Sequence, residues 1–197
     1  EPPQRAEQHG ESQHKDRAQR THRKIPQIPV DIITVDAVVP GFSLLVIEVF
    51  HAMNADWQSF LEQHGARVES GEISDFGDGD AELRAAASAG VVADLSHLGV
   101  LHFTGADAEA FLQGQLSCDV KGIDASRATL GAYCTPKGRM LASFHLARAG
   151  ENFYMLLSAS LASAIQKRLT MFVLRSKVTI ANVSDQWIAL GIAAAMP

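Results

Sequence analysis

"LGAYCTPKGRMLASFHLAR", residues 130–148, is the stretch from which the fold can be read. Met140, Ala142, Phe144 and Leu146 alternate with Leu141, Ser143, His145 and Ala147, the period-2 signature of a strand with two unlike faces. A first arm over 128–135 precedes it, and Thr135-Pro136-Lys137-Gly138 between the arms suits a type I turn, with Pro at its second position and Gly at its fourth. The turn explains Pro136 and Gly138 but not the cations Lys137 and Arg139 beside them.

Outward from the hairpin the periods continue. On its C-terminal side, Ala149-Gly150-Glu151-Asn152 reads as a turn and "FYMLL" (153–157) as a strand. A helix follows, capped by Ser158 or Ser160 and expected to bury Leu161, Ile165, Leu169 and Phe172. "KVTIANV" and "QWIALGI" then read as two more strands, the last expected to leave an unpaired sheet edge. On the N-terminal side, "GVLHFTG" (99–105) is a strand with Val100, His102 and Thr104 on one face and Leu101 and Phe103 on the other. The helix after it is expected to start with a capping box formed by Thr104 and Asp107, and to bury Ala108, Phe111, Leu112 and Leu116. The order β-α-β-β-β-α-β-β predicts an α+β sandwich, a mostly antiparallel sheet with helices packed on one side.

Residues 1–27 hold almost no large apolar side chains and cannot offset chain entropy by burial. Residues 1–52 are set apart as a disordered or non-native upstream segment, with Met53 as the expected natural start. Residues 53–82 read as a short amphipathic helix, with Trp57, Phe60 and Leu61 on one face, followed by an acidic linker. The domain proper is expected over 83–197. "VVPGFSLLVIEVF" (38–50) is too short to span a membrane and lacks the cleavage site of a signal peptide.

Composition narrows the function. The 197 residues are 47% apolar and 20% charged, a globular balance, and two cysteines, Cys118 and Cys134, make no disulfide framework, which points to a reducing, cytoplasmic setting. The net charge of −5 is uneven: residues 120–184 carry nine Lys/Arg against two Asp/Glu, so an anionic partner is sought there. The sequence has no G-x-G-x-x-G, no P-loop and no G-x-S-x-G. His97 and His102, five apart across a turn, do not make a metal pair, and no metal site is expected. A sheet that binds nucleic acid by stacking bases would need exposed strand aromatics, and the hairpin offers Tyr133 and Phe144.

"DLSHLGVLHFTGADAEAFLQGQLSCDV" (94–120), the hairpin, and "FVLRSKVTIANVS" (172–184), with F-L-Q-G-Q, P-K-G-R-M and R-S-K-V in this order, resemble the first domain of the YgfZ-type folate-binding proteins. These are bacterial relatives of the glycine-cleavage T-protein, an aminomethyltransferase. The resemblance implies tetrahydrofolate or a derivative as cofactor, and an accessory role in iron–sulfur cluster assembly or repair and in tRNA modification. Iron–sulfur enzymes of tRNA modification are the implied partners. Expected folate-site residues are Gln113, Gln115, Lys137, Gly138 and Arg139, with the cations gripping the glutamate tail; Arg175 and Lys177 are candidates for a protein or RNA contact.

The T-protein carries paired aspartates on this hairpin, where this chain has Leu141 and Ala142, so a folate-dependent aminomethyltransferase is the alternative reading and a nucleic-acid-binding ferredoxin-like module a third. The Lys-Gly-Cys segment of the YgfZ-type proteins belongs to a later part of the fold and is absent here. The chain is therefore expected to be an N-terminal fragment without stand-alone catalysis.

Overall fold

The computed structural model describes residues 32–36, 42–48, 53–69, 72–124 and 128–193, with side chains from Ala55 onward. Its centre is a five-stranded, wholly antiparallel sheet built from β6 (Leu98–Thr104), β7 (Thr129–Cys134), β8 (Met140–Ala149), β9 (Asn152–Ser158) and β10 (Thr179–Asn182), in the order β10-β6-β9-β8-β7. The alternation read from the sequence decides what each face meets. Leu101, Phe103, Phe144, Leu146, Phe153, Met155 and Leu157 point to one side, all essentially buried. Two helices cover them there: α3 (Ala108–Gln115) through Ala108, Phe111 and Leu112, and α4 (Ala159–Thr170) through Ala162, Ile165 and Leu169. Fully burying one Leu or Phe side chain is worth about 1.5–3 kcal/mol, so this layer dominates the stability of the fold.

The opposite face carries Val100, Tyr154, Leu156 and Ala147, and it is covered by Val183, Trp187 and Ala189. These belong to the chain as it leaves β10, makes a single 3-10 turn at Ser184–Gln186 and enters β11 (Trp187–Ala193). Rather than extending the first sheet as an open edge, β11 lies inside a second one, between β2 (Phe42–Glu48) and β5 (Val91–Asp94), with β1 (Ile32–Asp36) on the far side of β2. This corrects the expected unpaired edge: β11 is hydrogen-bonded on both sides. Of the segment set apart over 1–52, β1 (Ile32–Asp36) and β2 are described, paired antiparallel to each other; the rest of it lies outside the described residues.

Two helix starts differ from expectation. Asp107, not Thr104, occupies the N-cap of α3, and its carboxylate accepts the Lys177 backbone N–H at 2.7 Å instead of capping its own helix. Gly105 makes this stitch possible. Its φ is +112°, and a Cβ there would sit 2.1 Å from the Lys177 carbonyl oxygen. Ser158 caps α4 by position, but its hydroxyl bonds the Ser160 hydroxyl at 2.9 Å. The buried stripe of α4 is Ala162, Ile165 and Leu169; Leu161 and Phe172 are 37% and 43% exposed, Leu161 lying at the margin of the stripe and Phe172 beyond the last turn.

The remaining elements form a flank. Helix α1 (Met53–Gln63) buries Leu61, while Phe60 of its expected apolar face stays 46% exposed. It is followed by the hairpin of β3 (Arg67–Glu69) with β4 (Glu72–Asp75) and by α2 (Gly79–Ser88), whose N-cap Asp78 accepts the Ala81 N–H at 2.9 Å. No helix among the described residues is long and apolar enough to cross a membrane.

Candidate functional site

The β7–β8 hairpin overhangs the sheet. Strand β8 pairs with β9 from Phe144 onward, and β9 ends level with Ser143, so Met140–Leu141 and the turn project past the neighbouring strands. In the turn, Gly138 N–H donates to the Thr135 carbonyl at 2.8 Å, and Arg139 N–H donates to Thr135 Oγ1 at 3.1 Å. Thr135 N–H returns a bond to the Arg139 carbonyl at 2.8 Å. Gly138 has φ +76° with open space where a Cβ would be. The pattern is a type I turn followed by a left-handed glycine, a bulged hairpin end. It leaves Lys137 and Arg139 exposed on either side of Gly138. Among the described residues the ion pairs are Arg148–Glu109 at 2.8 Å and Arg67–Asp75 at 2.5 Å, so neither hairpin cation is neutralised by a protein carboxylate.

The same end of the sheet receives the C-terminus of α3. Leu116 bridges to Tyr133, Ser117 N–H donates to the Ala132 carbonyl at 3.1 Å, and Ala132 N–H donates to Ser117 Oγ at 2.8 Å. This strap brings Gln115, half-buried at the last helical position, to the root of the overhanging turn. Gln113 is differently employed. Its Oε1 accepts the backbone N–H groups of Val120 at 2.7 Å and Lys121 at 3.1 Å, which fixes the loop after the helix. Cys118 packs into this loop against Gly131, where an added Cβ would lie 2.9 Å from its Sγ, and burial pushes its thiol above the ordinary range. It is a packing group, not a ready thiolate.

Arg175 and Lys177 do not join this cluster. They follow α4 at the far end of the sheet, beside Thr104 and the start of β10. The ten residues of β8 separate the two ends, roughly 30 Å at strand rise. Lys137 with Arg139 and Arg175 with Lys177 therefore lie at opposite ends of the sheet and do not share one basic face. Arg148 is spent internally: its guanidinium bonds Glu109 and the Gly150 carbonyl and lies 5.2 Å above the Phe153 ring. Tyr133 and Phe144, 3% and 1% exposed, are core residues and offer no platform for stacking bases.

Leu141 and Ala142 place hydrocarbon at the positions where the T-protein resemblance calls for aspartates; Ala142 is 3% exposed and Leu141 packs against the core. The sequence reading missed the apolar neighbour of the two cations: Met140, next to Arg139, is 62% exposed. The plain alternation would place Met140 on the core face, but the register shift at Tyr133–Cys134 leaves Leu141 unpaired and packed against the core, and Met140 meets water. Two open cavities among the described residues lie elsewhere, one beside α1 and one at 172–176, and the hairpin tip lines neither.

His102 and His145 lie on the sheet face opposite the helices. His102 stacks on Tyr154 at 4.5 Å with 7° between the rings. Its Nε2 and the Nδ1 of His145 are buried without a hydrogen-bond partner, and burial holds both imidazoles below their ordinary pKa.

Known proteins share the sequence pattern and the fold of this chain. The family described as the GCVT N-terminal domain matches residues 49–194. A tRNA-modifying protein YgfZ of Vibrio vulnificus (strain YJ016) is 37% identical over 98 residues, 50% of this chain and 30% of that protein. One of the same name from Escherichia coli O7:K1 (strain IAI39 / ExPEC) is 36% identical over 90 residues, 46% of this chain and 27% of that protein. Among solved structures, the glycine cleavage system aminomethyltransferase T from Bartonella henselae superposes with a TM-score of 0.57 at 18% identity, over 70% of this chain and 39% of that one. The chain thus spans under a third of the length of these curated relatives.

Proposed function

Because the chain belongs to the GCVT N-terminal domain family, we propose that it is a tetrahydrofolate-binding accessory protein of the YgfZ type, serving tRNA modification and the upkeep of iron–sulfur enzymes in the cytoplasm. The observation that carries the reading is the overhanging turn with two unpaired cations, Lys137 and Arg139, on a hairpin that has hydrocarbon at Leu141 and Ala142. The curated relatives it matches are named tRNA-modifying proteins, which supports the same process for this chain.

The chemistry of these residues supports a folate through its acidic tail. A folate ends in glutamyl carboxylates, and an ammonium and a guanidinium on a rigid turn would hold them by charge-assisted hydrogen bonds. Gly138 sets the spacing of the two cations by its left-handed backbone. Gln115 would offer a carboxamide to the pterin or to the glutamyl amide, and Met140 an apolar contact. Gln113 would contribute by holding the 117–121 loop, through the two backbone bonds it accepts. Bound tetrahydrofolate supplies a carrier for one-carbon units. Neither Leu141 nor Ala142 can take or give a proton, which favours binding without aminomethyl transfer over the alternative enzyme reading.

Calorimetry with tetrahydrofolate and its polyglutamates, on this chain and on the longest natural product that contains it, tests the proposal. Binding is expected to weaken about tenfold in each of Lys137→Ala and Arg139→Ala, one charge-assisted contact apiece. Absence of binding by the natural product ends the reading, and tetrahydrofolate-dependent methylene transfer would replace it with the aminomethyltransferase.

A further inference from the structure

A cavity of about 350 Å³ between α1, the β3–β4 hairpin and the 94–97 loop is left unused by the folate reading. Its size suits a small molecule. Leu61 and Ile73 supply apolar wall, Trp57 an indole, Glu72 and Asp94 carboxylates, and His97 an imidazole; no Lys or Arg lines it.

The polar side is built, not incidental. Trp57 Nε1 donates to Asp94 Oδ1 at 2.9 Å, and the indole is stacked on Phe60 at 5.3 Å with 14° between the rings. Asp94 also accepts Ser96 Oγ at 2.7 Å and Ser96 N–H at 3.2 Å. Every one of these donors is neutral, so they orient the carboxylate without cancelling its charge. Neither Asp94 nor Glu72 takes part in the ion pairs of the described residues. The surrounding segment, residues 55–94, carries nine Asp/Glu and two Lys/Arg, and one of the two, Arg67, is taken by Asp75. A cavity inside such a field concentrates cations and repels anions.

We propose that this cavity binds a small aliphatic ammonium ligand of the diamine or polyamine class. An ammonium is met by Glu72 and Asp94 and by the negative face of an indole, and a methylene stem by Trp57, Leu61 and Ile73. A neutral ligand would leave two carboxylates without a counterion, and an anion would be opposed by both. The site shares no residue with the hairpin tip, so its fate is independent of the folate reading.

Putrescine is the probe, titrated by calorimetry at low salt and followed in parallel by Trp57 fluorescence, with 1,4-butanediol as the uncharged isostere. Saturable binding is expected for putrescine and none for the diol. Glu72→Gln, an exposed position, is expected to weaken putrescine about tenfold or more, the loss of one close charge contact. Asp80→Asn, in the same acidic segment but outside the cavity, is expected to change it by no more than about twofold. No saturable signal up to about 10 mM, a weak limit of roughly 3 kcal/mol, overturns the proposal. So does equal weakening by the two variants, which assigns the effect to the general field, or equal binding of the diol.

Discussion

Replacing Gly105 by Ala is the sharpest probe of how the sheet and α3 are joined. The added methyl carbon would lie 2.1 Å from the Lys177 carbonyl oxygen and 2.9 Å from its carbon, inside any real contact distance. The obstacle is backbone, and it is held: Lys177 N–H is bound to the Asp107 carboxylate at 2.7 Å, and the Lys177 carbonyl accepts the Asp107 N–H at 3.3 Å. Two costs combine, about 1–3 kcal/mol for a non-glycine residue at this positive φ and about 1–3 kcal/mol for forcing two fixed segments apart. The expected loss is therefore about 2–6 kcal/mol, or roughly 4–24 °C in Tm for a chain of this size. Gly138→Ala is the reference, because Gly138 also has a positive φ, +76°, but nothing within 4 Å of the new carbon. It is expected to cost about 1 kcal/mol from backbone strain alone. Urea unfolding followed by circular dichroism measures both. A loss for Gly105→Ala no larger than the Gly138→Ala value would refute the claim that Gly105 is required by close approach.

Gln113→Ala strips the acceptor from two backbone N–H groups and is expected to cost about 1–2 kcal/mol, with amide exchange at Val120 accelerating, whereas Gln113→Glu keeps an acceptor and is expected to preserve that protection. The two half-buried imidazoles have folded pKa values below the ordinary 6.5, so the unfolded chain binds more protons between those values. Stability is accordingly constant above that ordinary value and is lost as pH falls through the window beneath it; urea midpoints at pH 7.5 and 5.5 are expected to differ less in His102→Phe than in the parent. Glu109→Ala removes a part-exposed ion pair and is expected to cost no more than about 1 kcal/mol, while Arg148→Ala also loses the guanidinium over Phe153 and is expected to cost about twice as much, both read from urea midpoints.

Much of the five-stranded sheet could be read from the chain because its signals are local. The alternation through 98–104 and 140–148 places Phe103 and Phe144 on the helix side and His102 and His145 on the other, as found. The turn was legible from Pro136 and Gly138 alone, and its hydrogen bonds agree with that reading. What escaped was long-range. Nothing in "QWIALGI" distinguishes a strand that extends the first sheet from one that crosses to a second, since both need the same apolar run. The capping reading of Thr104 failed because the carboxylate of Asp107 had a competing partner seventy residues away. The basic count over 120–184 points to an anionic partner without saying where it binds, because charge in sequence carries no direction, and α4 delivers Arg175 and Lys177 to the end opposite Lys137 and Arg139. Gln113 and Gln115 looked equivalent around Gly114; only the path of the 117–121 loop separates a loop clamp from a residue at the root of the turn.

Strand β11 is the last described element to leave the ribosome, and it is the one that β2 and β5 both wait for. Until it emerges, the nascent chain can complete the helix-backed sheet, whose partners are near in sequence, but Val100, Tyr154 and Leu156 stay uncovered and two strands lack a neighbour. Synthesis would thus pass through a half-dressed intermediate that a chaperone can recognise, and a ribosome stalled before Trp187 emerges should hold it there.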